Sequence, residues 1–498
     1  MNVLGNRNTF GFVLLWSFLS FVSCNSRKQA CWDLDNIVWD ELVSHPIHAI
    51  SDLSHAFSFY ADGRFGLQYL NGQKYLSNWG NLYDLDFENV NLLILLDCEN
   101  GSSYTIQDIR KITDFVSNGG GVVILGNQFR QAQNELAKCF GASFATESTN
   151  QLLTVDCGLS EDVISQGNVT HINFENPEYW TPIVKTMDGN AVLAISKYGK
   201  GSVVVGNRSL AGSNPDGSDS INYKIWKPLL HLVSSGKSIN EKASFAVKEW
   251  DDLGNTVSKF GLTVNYSDYL LPYADAMINL TVRCMPVIEK RMGVSLSKGM
   301  GSTIMLLASG GEGFSAGNVI ALAVWWGGFP EREEPMIEFI THESVHSWVL
   351  PYAEIWNEPI ATYVGDLVMA DMGYEEESAK LITACIERAR LIDPTFSLYD
   401  INGKSVKDGV PELPSDKVND LHWGKSFWIF EQLRKENPDF LADYFRAKRE
   451  YAIEGEIQNY DENNTVAVLS IAMKRDLFPW FRSIGFDVDR NAAEIKFD

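Results

Sequence analysis

Positive charge is scarce in this chain. Its 498 residues carry 41 Lys and Arg against 64 Asp and Glu, a formal net charge of -23. No Lys/Arg cluster interrupts that balance, so the basic face that a phosphate backbone requires is missing and no nucleic-acid partner is expected. Most of the acidity reads as solubility. Cysteine is sparse as well, seven in all with no CxxC pair. That spacing excludes a disulfide framework and the common zinc-ribbon patterns. Low-complexity tracts and internal repeats are also absent, which excludes a solenoid or a long disordered tail. What remains is ordinary globular composition, 45% hydrophobic and 21% charged, in a chain too long for one core.

The first residues are not fold. Arg7 precedes an apolar run from Phe10 to Val22, and Val22-Ser23-Cys24 follows. The run is short for a membrane span and suits the apolar core of a signal peptide. A small residue before a cysteine resembles a bacterial lipobox, with Phe21 where Leu is commoner. The expectation is a signal peptide over residues 1–24, a lipid anchor on Cys24 and a polar tether after it. The mature chain would then be an exported lipoprotein of the outer membrane or cell surface. Export permits disulfides, and Cys139 with Cys157 is the pair expected.

Beyond the tether the texture divides in two. Residues from about 30 to 235 alternate β-rich runs with amphipathic helices. Asn91 to Cys98 (NLLILLDC) is a continuous apolar run, as in a parallel strand buried on both faces. A helix with Ile109, Ile112, Phe115 and Val116 on one face follows, then Gly119 to Gly121, then the apolar VVILG of Val122 to Gly126. Strand, helix, glycine stop, strand is a βαβ unit. Gly199 to Asn207 (GKGSVVVGN) reads as a further strand. This half resembles the class I glutamine-amidotransferase-like fold. Active members place a nucleophilic Cys at a sharp strand-to-helix elbow, where this chain has Asn127, Gln128 and Phe129. Without an activated side chain beside a base, residues 25–238 are expected to form a non-catalytic domain. A working amidotransferase-type site is the disfavoured alternative. Ser234 to Lys242 is the expected linker.

Chemistry is concentrated in the second half, residues 239–498. Thr341 to Trp348 (THESVHSW) contains HExxH, and the chain has only eight histidines. Glu333, Glu334 and Pro335 give an acidic, proline-led helix start, apolar residues recur at helical spacing, and Pro351 ends the segment. On a helix His342 and His346 face one side, one turn apart, and can grip a single tetrahedral ion. Glu343 can reach a metal-bound water without being a ligand. The third ligand is sought in YAEIWNEPIATYVGDL, Tyr352 to Leu367. Asn357 would cap a second helix and Glu358, in its first turn, would complete a His2Glu set, with Glu354 as the competitor. The expected cofactor is Zn2+.

The NEPIATYV segment is similar to the Asn-Glu helix of gluzincin metallopeptidases. HWGKSFWIFEQL, His422 to Leu433, resembles the helix that follows the zinc helices there, which makes His422 the candidate polariser of the scissile carbonyl. Asp476 to Val488 (DLFPWFRSIGFDV) resembles the closing segment of the enhancin-like, mucin-directed peptidase family M-sixty. Gly317 to Gly328 (GNVIALAVWWGG) reads as a strand that could sit at the sheet edge and align substrate. The resemblance implies a mostly helical α+β zinc metallopeptidase domain acting on a protein or glycoprotein substrate, mucin-type O-glycoproteins included. The rival expectation is a non-catalytic binding or adhesion lipoprotein on a zincin scaffold.

Overall fold

The computed structural model describes residues 29–497, apart from 35–36, 38–41, 43, 56–67, 97–102, 128–130, 150–151, 156–162, 166–168, 212–219, 296–302, 308–312, 317–318, 325–327 and 350–355. The signal peptide with Cys24, Cys98, Cys157, Gln128, Phe129 and the competitor Glu354 lie outside the described residues, and so does the expected Cys139–Cys157 pair. Among the described residues no helix is long and apolar enough to cross a membrane.

The first lobe opens with β1 (Gln29–Ala30), β2 (His48–Asp52), β3 (Lys74–Asn78), β4 (Leu92–Leu95), α1 (Ile106–Ser117), β5 (Gly121–Gly126) and α2 (Gln131–Lys138). Further strands follow: β6 (Ala142–Thr149), β7 (Leu152–Val155), β8 (Val163–Ser165), β9 (Val169–Phe174), β10 (Trp180–Thr186), β11 (Ala191–Tyr198) and β12 (Gly201–Asn207), closed by α3 (Ser220–Ser234). The main sheet runs β3-β2-β4-β5-β12-β11-β10-β7-β8, with β1 on the end of β11 and a separate β6-β9 pair. From β3 to β12 the pairing is parallel, as the apolar runs imply. Leu92 and Ile94 join the core on one face while Leu93 and Leu95 join the core on the other. Strands β11, β10, β7 and β8 are antiparallel, so the sheet is mixed rather than all parallel. Only a few residues join β10 to β11 and β11 to β12, and only hairpin-type pairing suits such short reach.

The chain after α3 is not a bare tether. Phe245 and Val247 pack on the first lobe's core, and Trp79 N donates to Lys248 O at 2.8 Å. The second lobe starts with β13 (Asn255–Lys259), β14 (Leu262–Tyr266), α4 (Leu271–Met292), β15 (Thr303–Leu307), β16 (Phe314–Ala316) and β17 (Val319–Ala323). Its sheet order is β13-β14-β15-β17-β16. The strand within Gly317 to Gly328 is therefore internal, and the three-residue β16, antiparallel to it, holds the edge.

Helices complete the lobe: α5 (Glu334–Val349), α6 (Asn357–Asp371), α7 (Glu375–Ile392), α8 (Ser415–Glu436), α9 (Phe440–Lys448), α10 (Glu462–Met473) and α11 (Phe478–Ser483). One large apolar core spans this sheet and these helices. The architecture is an α/β lobe with a mixed sheet followed by a mostly helical α+β lobe.

Candidate metal centre

HExxH sits in the second half of α5, where helical spacing brings both imidazoles to one face. His342 Nε2 and His346 Nε2 are 3.1 Å apart. Glu358 enters from the first turn of α6, with Oε2 3.3 Å from His342 Nε2 and Oε1 3.7 Å from His346 Nε2. Four ligands about 2.0–2.1 Å from a tetrahedral zinc ion lie about 3.3 Å from one another. The three distances bracket that edge, so the donor set fits zinc. Among the described residues this is the one group of His, Cys, Asp and Glu side chains that converges tightly enough to hold a metal.

The outer nitrogens are held too. His342 Nδ1 is 2.9 Å from Thr362 Oγ1, and His346 Nδ1 is 3.2 Å from Asn357 Oδ1. A proton on each Nδ1 satisfies these contacts and turns the Nε2 lone pairs toward the shared point. Asn357 Nδ2 also donates to Glu358 Oε1 at 3.2 Å, so one amide fixes two of the three ligands. Burial lowers the pKa of His346. The His342 hydrogen bond lowers that of Glu358.

Two features place α6. Gly365 lets the helices touch, because a Cβ there would stand 3.0 Å from Glu338 O of α5. Trp356, fully buried just before α6, packs on Phe430, Phe481 and Phe486 with ring centroids 5.1, 5.9 and 6.3 Å away. The last two belong to the closing segment Asp476 to Val488, whose aromatics thus brace the start of the ligand helix. Trp356, rather than Asn357, stands at the N-cap, which leaves the Asn357 side chain free to hold His346 and Glu358. At the far end of α5 the buried Lys448 ammonium donates to Val349 O, a favourable charge at a helix C-terminus.

Glu343 is 6% exposed, and burial pushes its carboxyl up to about 7. Gly313, just before β16, allows the close approach, since a Cβ there would lie 2.7 Å from Glu343 Oε1. A cleft of about 880 Å³ opens from His342 and Glu343 between α5, α6, α7 and α8. His422 is on α8 and partly buried, but the α8 side of the cleft is lined by Asn419, Asp420, Trp423 and Phe427. The structure therefore brings His342, Glu343, His346 and Glu358 together and leaves His422 off the cleft-lining face. In the first lobe Asn127 directly follows β5, with no Cys or Ser at that position.

Thr362, Glu338 and Asp366 went unnoticed in the sequence. The first is four residues after Glu358, the second four before His342 and the third eight after Glu358, all helical multiples that place them on the cleft side.

No protein-family model matches the chain, and no curated protein matches it. Solved structures align only loosely. The mmIFT52 N-terminal domain is 12% identical at TM-score 0.31, over 38% of this chain and 99% of that one. Native yeast LTA4 hydrolase is 14% identical at TM-score 0.31, over 45% of this chain and 38% of that one. The carbohydrate deacetylase Agd3 is 10% identical at TM-score 0.28, over 52% of this chain and 42% of that one.

Proposed function

We propose that this chain is a zinc-dependent metallopeptidase of the gluzincin type, with His342, His346 and Glu358 holding the metal and Glu343 as general base and acid. The observation that carries this reading is the donor triangle at tetrahedral-edge distances with a buried carboxylate beside it. When bound, zinc polarises the substrate carbonyl and lowers the pKa of the attacking water. Glu343 accepts the proton of that water and delivers it to the departing amide nitrogen. Burial raises the Glu343 carboxyl above its ordinary range, the direction that makes it a stronger base. Strand β16 ends its sheet, the position at which an extended peptide can add.

The reading extends to a lipid anchor on Cys24, an amidotransferase-like first lobe without catalysis of its own, and substrates among extracellular proteins, mucin-type O-glycoproteins included. These follow from the motifs and from the resemblance to family M-sixty. The test compares the purified chain with Glu343→Gln on mucin-type glycoprotein and on unglycosylated casein, with zinc quantified in both preparations. About one zinc per chain in each, with cleavage by the parent alone, is the expected result. Zinc absent from a preparation never exposed to chelator would sink the reading. Zinc bound without any cleavage would favour a binding lipoprotein instead.

A further inference from the structure

The cleft that opens from His342 and Glu343 is lined unlike a plain peptide groove. Phe339, Met369, Leu381, Trp423 and Phe427 supply apolar walls. Among them sit two carboxylates that the hydrolytic chemistry does not use, Glu338 and Asp366. Asp366 is only 2% exposed, and no described residue hydrogen-bonds to it. Glu338 has His342 Nδ1 at 4.0 Å, but that nitrogen is committed to Thr362.

The cations of the same cleft already have partners. Arg332 pairs with Glu334 at 2.6 Å, Lys380 with Glu376 at 2.7 Å and Arg388 with Asp420 at 3.3 Å. A buried carboxylate without counter-ion or hydrogen bond is costly to the fold. Such groups gather where a ligand supplies the missing charge. A metal ion is a poor fit, because no third ligand converges with these two acids among the described residues. A long organic cation fits better, with its aliphatic stem along the apolar walls, its head at the carboxylates and the Trp423 indole alongside.

We infer that this part of the cleft is a specificity pocket for a lysine or arginine side chain of the substrate, with Glu338 and Asp366 as its anionic floor. The inference rests on the peptidase reading and names the substrate class of that same site. Burial raises the Asp366 carboxyl to about 8, with the Glu338 charge as the second cause. An arriving ammonium or guanidinium would draw it into the ionised form.

The test uses the zinc-loaded full chain and amino-blocked peptides that differ at one position, arginine against its neutral isostere citrulline and lysine against norleucine. The basic peptides should be cleaved with kcat/KM higher by about tenfold or more, at bonds adjoining the basic residue. In Asp366→Asn, and in Asp366→Asn combined with Glu338→Gln, the basic-to-neutral ratio should fall toward one. Equal cleavage of basic and neutral peptides by the parent chain overturns the pocket. So does cleavage of the unblocked counterparts of these peptides alone, since the cation would then be the terminus and not a side chain. Failure to cleave any peptide would count against the peptidase reading, and the pocket is then decided by calorimetry. Glu343→Gln is titrated with N-acetyl-arginine amide and N-acetyl-citrulline amide. Preferential binding of the arginine compound that Asp366→Asn abolishes sustains the pocket, and equal or undetectable binding of the two overturns it.

Discussion

The Tyr269 hydroxyl, just ahead of α4 in the second lobe, donates a 2.7 Å hydrogen bond to Asp108 Oδ1 in the first turn of α1. The Tyr269 hydroxyl oxygen in turn accepts from Leu82 N at 2.7 Å. The Tyr269 ring lies 4.3 Å from His55, whose Nδ1 is 2.9 Å from Asp52 Oδ2. Asp52 ends β2, and the strand order reverses between β2 and β4. In open α/β sheets that reversal opens a crevice where ligands bind. Here a side chain of the second lobe packs beside the end of β2 and ties the lobes together.

Tyr269→Phe keeps the ring and removes the hydroxyl, leaving Leu82 N–H and one Asp108 oxygen without this partner. The expected loss is about 1–3 kcal/mol of unfolding free energy in urea titration. Exposure of the 235–254 segment to limited proteolysis should rise with it. An unchanged midpoint and digestion pattern would show that the contact adds nothing to lobe docking.

Thr362 touches the candidate donor set only through His342. Thr362→Val preserves shape and removes the acceptor at Nδ1. Zinc affinity should fall about 10–100-fold in chelator competition. Thr362→Ser should restore most of it, which a purely steric role would not.

Trp356 braces the start of α6 and lies outside the candidate donor set. Trp356→Ala removes a fully buried ring at the start of α6. Stability should drop by about 3–5 kcal/mol. Zinc affinity should fall too, although Trp356 offers no ligand atom, because Glu358 loses its fixed place. Lost stability with native affinity for zinc would separate the brace from the ligand.

The candidate donor set was more legible in the sequence than the sheet edges. His342, Glu343 and His346 are legible because a helix converts a spacing of four into a shared face, and Glu358 because a carboxylate before Pro359 reads as a first turn. The strands of β4 and β5 were legible for a similar reason, since burial on both faces removes every polar interruption. The edge strand was not. Three residues of β16 are too few to set a period, and nothing in Val319 to Ala323 says that both its sides are paired. Asn357 reads as an N-cap because capping a helix and holding a neighbouring imidazole favour the same side chain. His422 stands where the resemblance puts a donor, but its neighbours Trp423 and Phe427 take the cleft face of α8. Glu338 and Asp366 sit at helical spacing from the ligands, yet a carboxylate on a helix usually faces water, and only the packed neighbours show that these do not.

Asp366 makes a pH-dependent prediction of defined sign. Its folded pKa of about 8 stands above the ordinary 3.8, chiefly because of burial. The folded chain thus holds this proton more tightly than the unfolded chain does. The associated stability is whole below about pH 4 and is lost as pH rises through about 8. Glu338, raised to about 7 by burial, acts in the same direction. Lys425, lowered to about 8 by burial, acts oppositely and only above that pH. Between about pH 5 and 8 the zinc-saturated parent should therefore lose melting temperature relative to Asp366→Asn, whose amide cannot ionise. The Glu338→Gln variant should show a smaller difference of the same sign. Parallel melting curves for parent and Asp366→Asn across that window would mean that Asp366 is solvated or paired in solution, and the buried anionic floor would go with it.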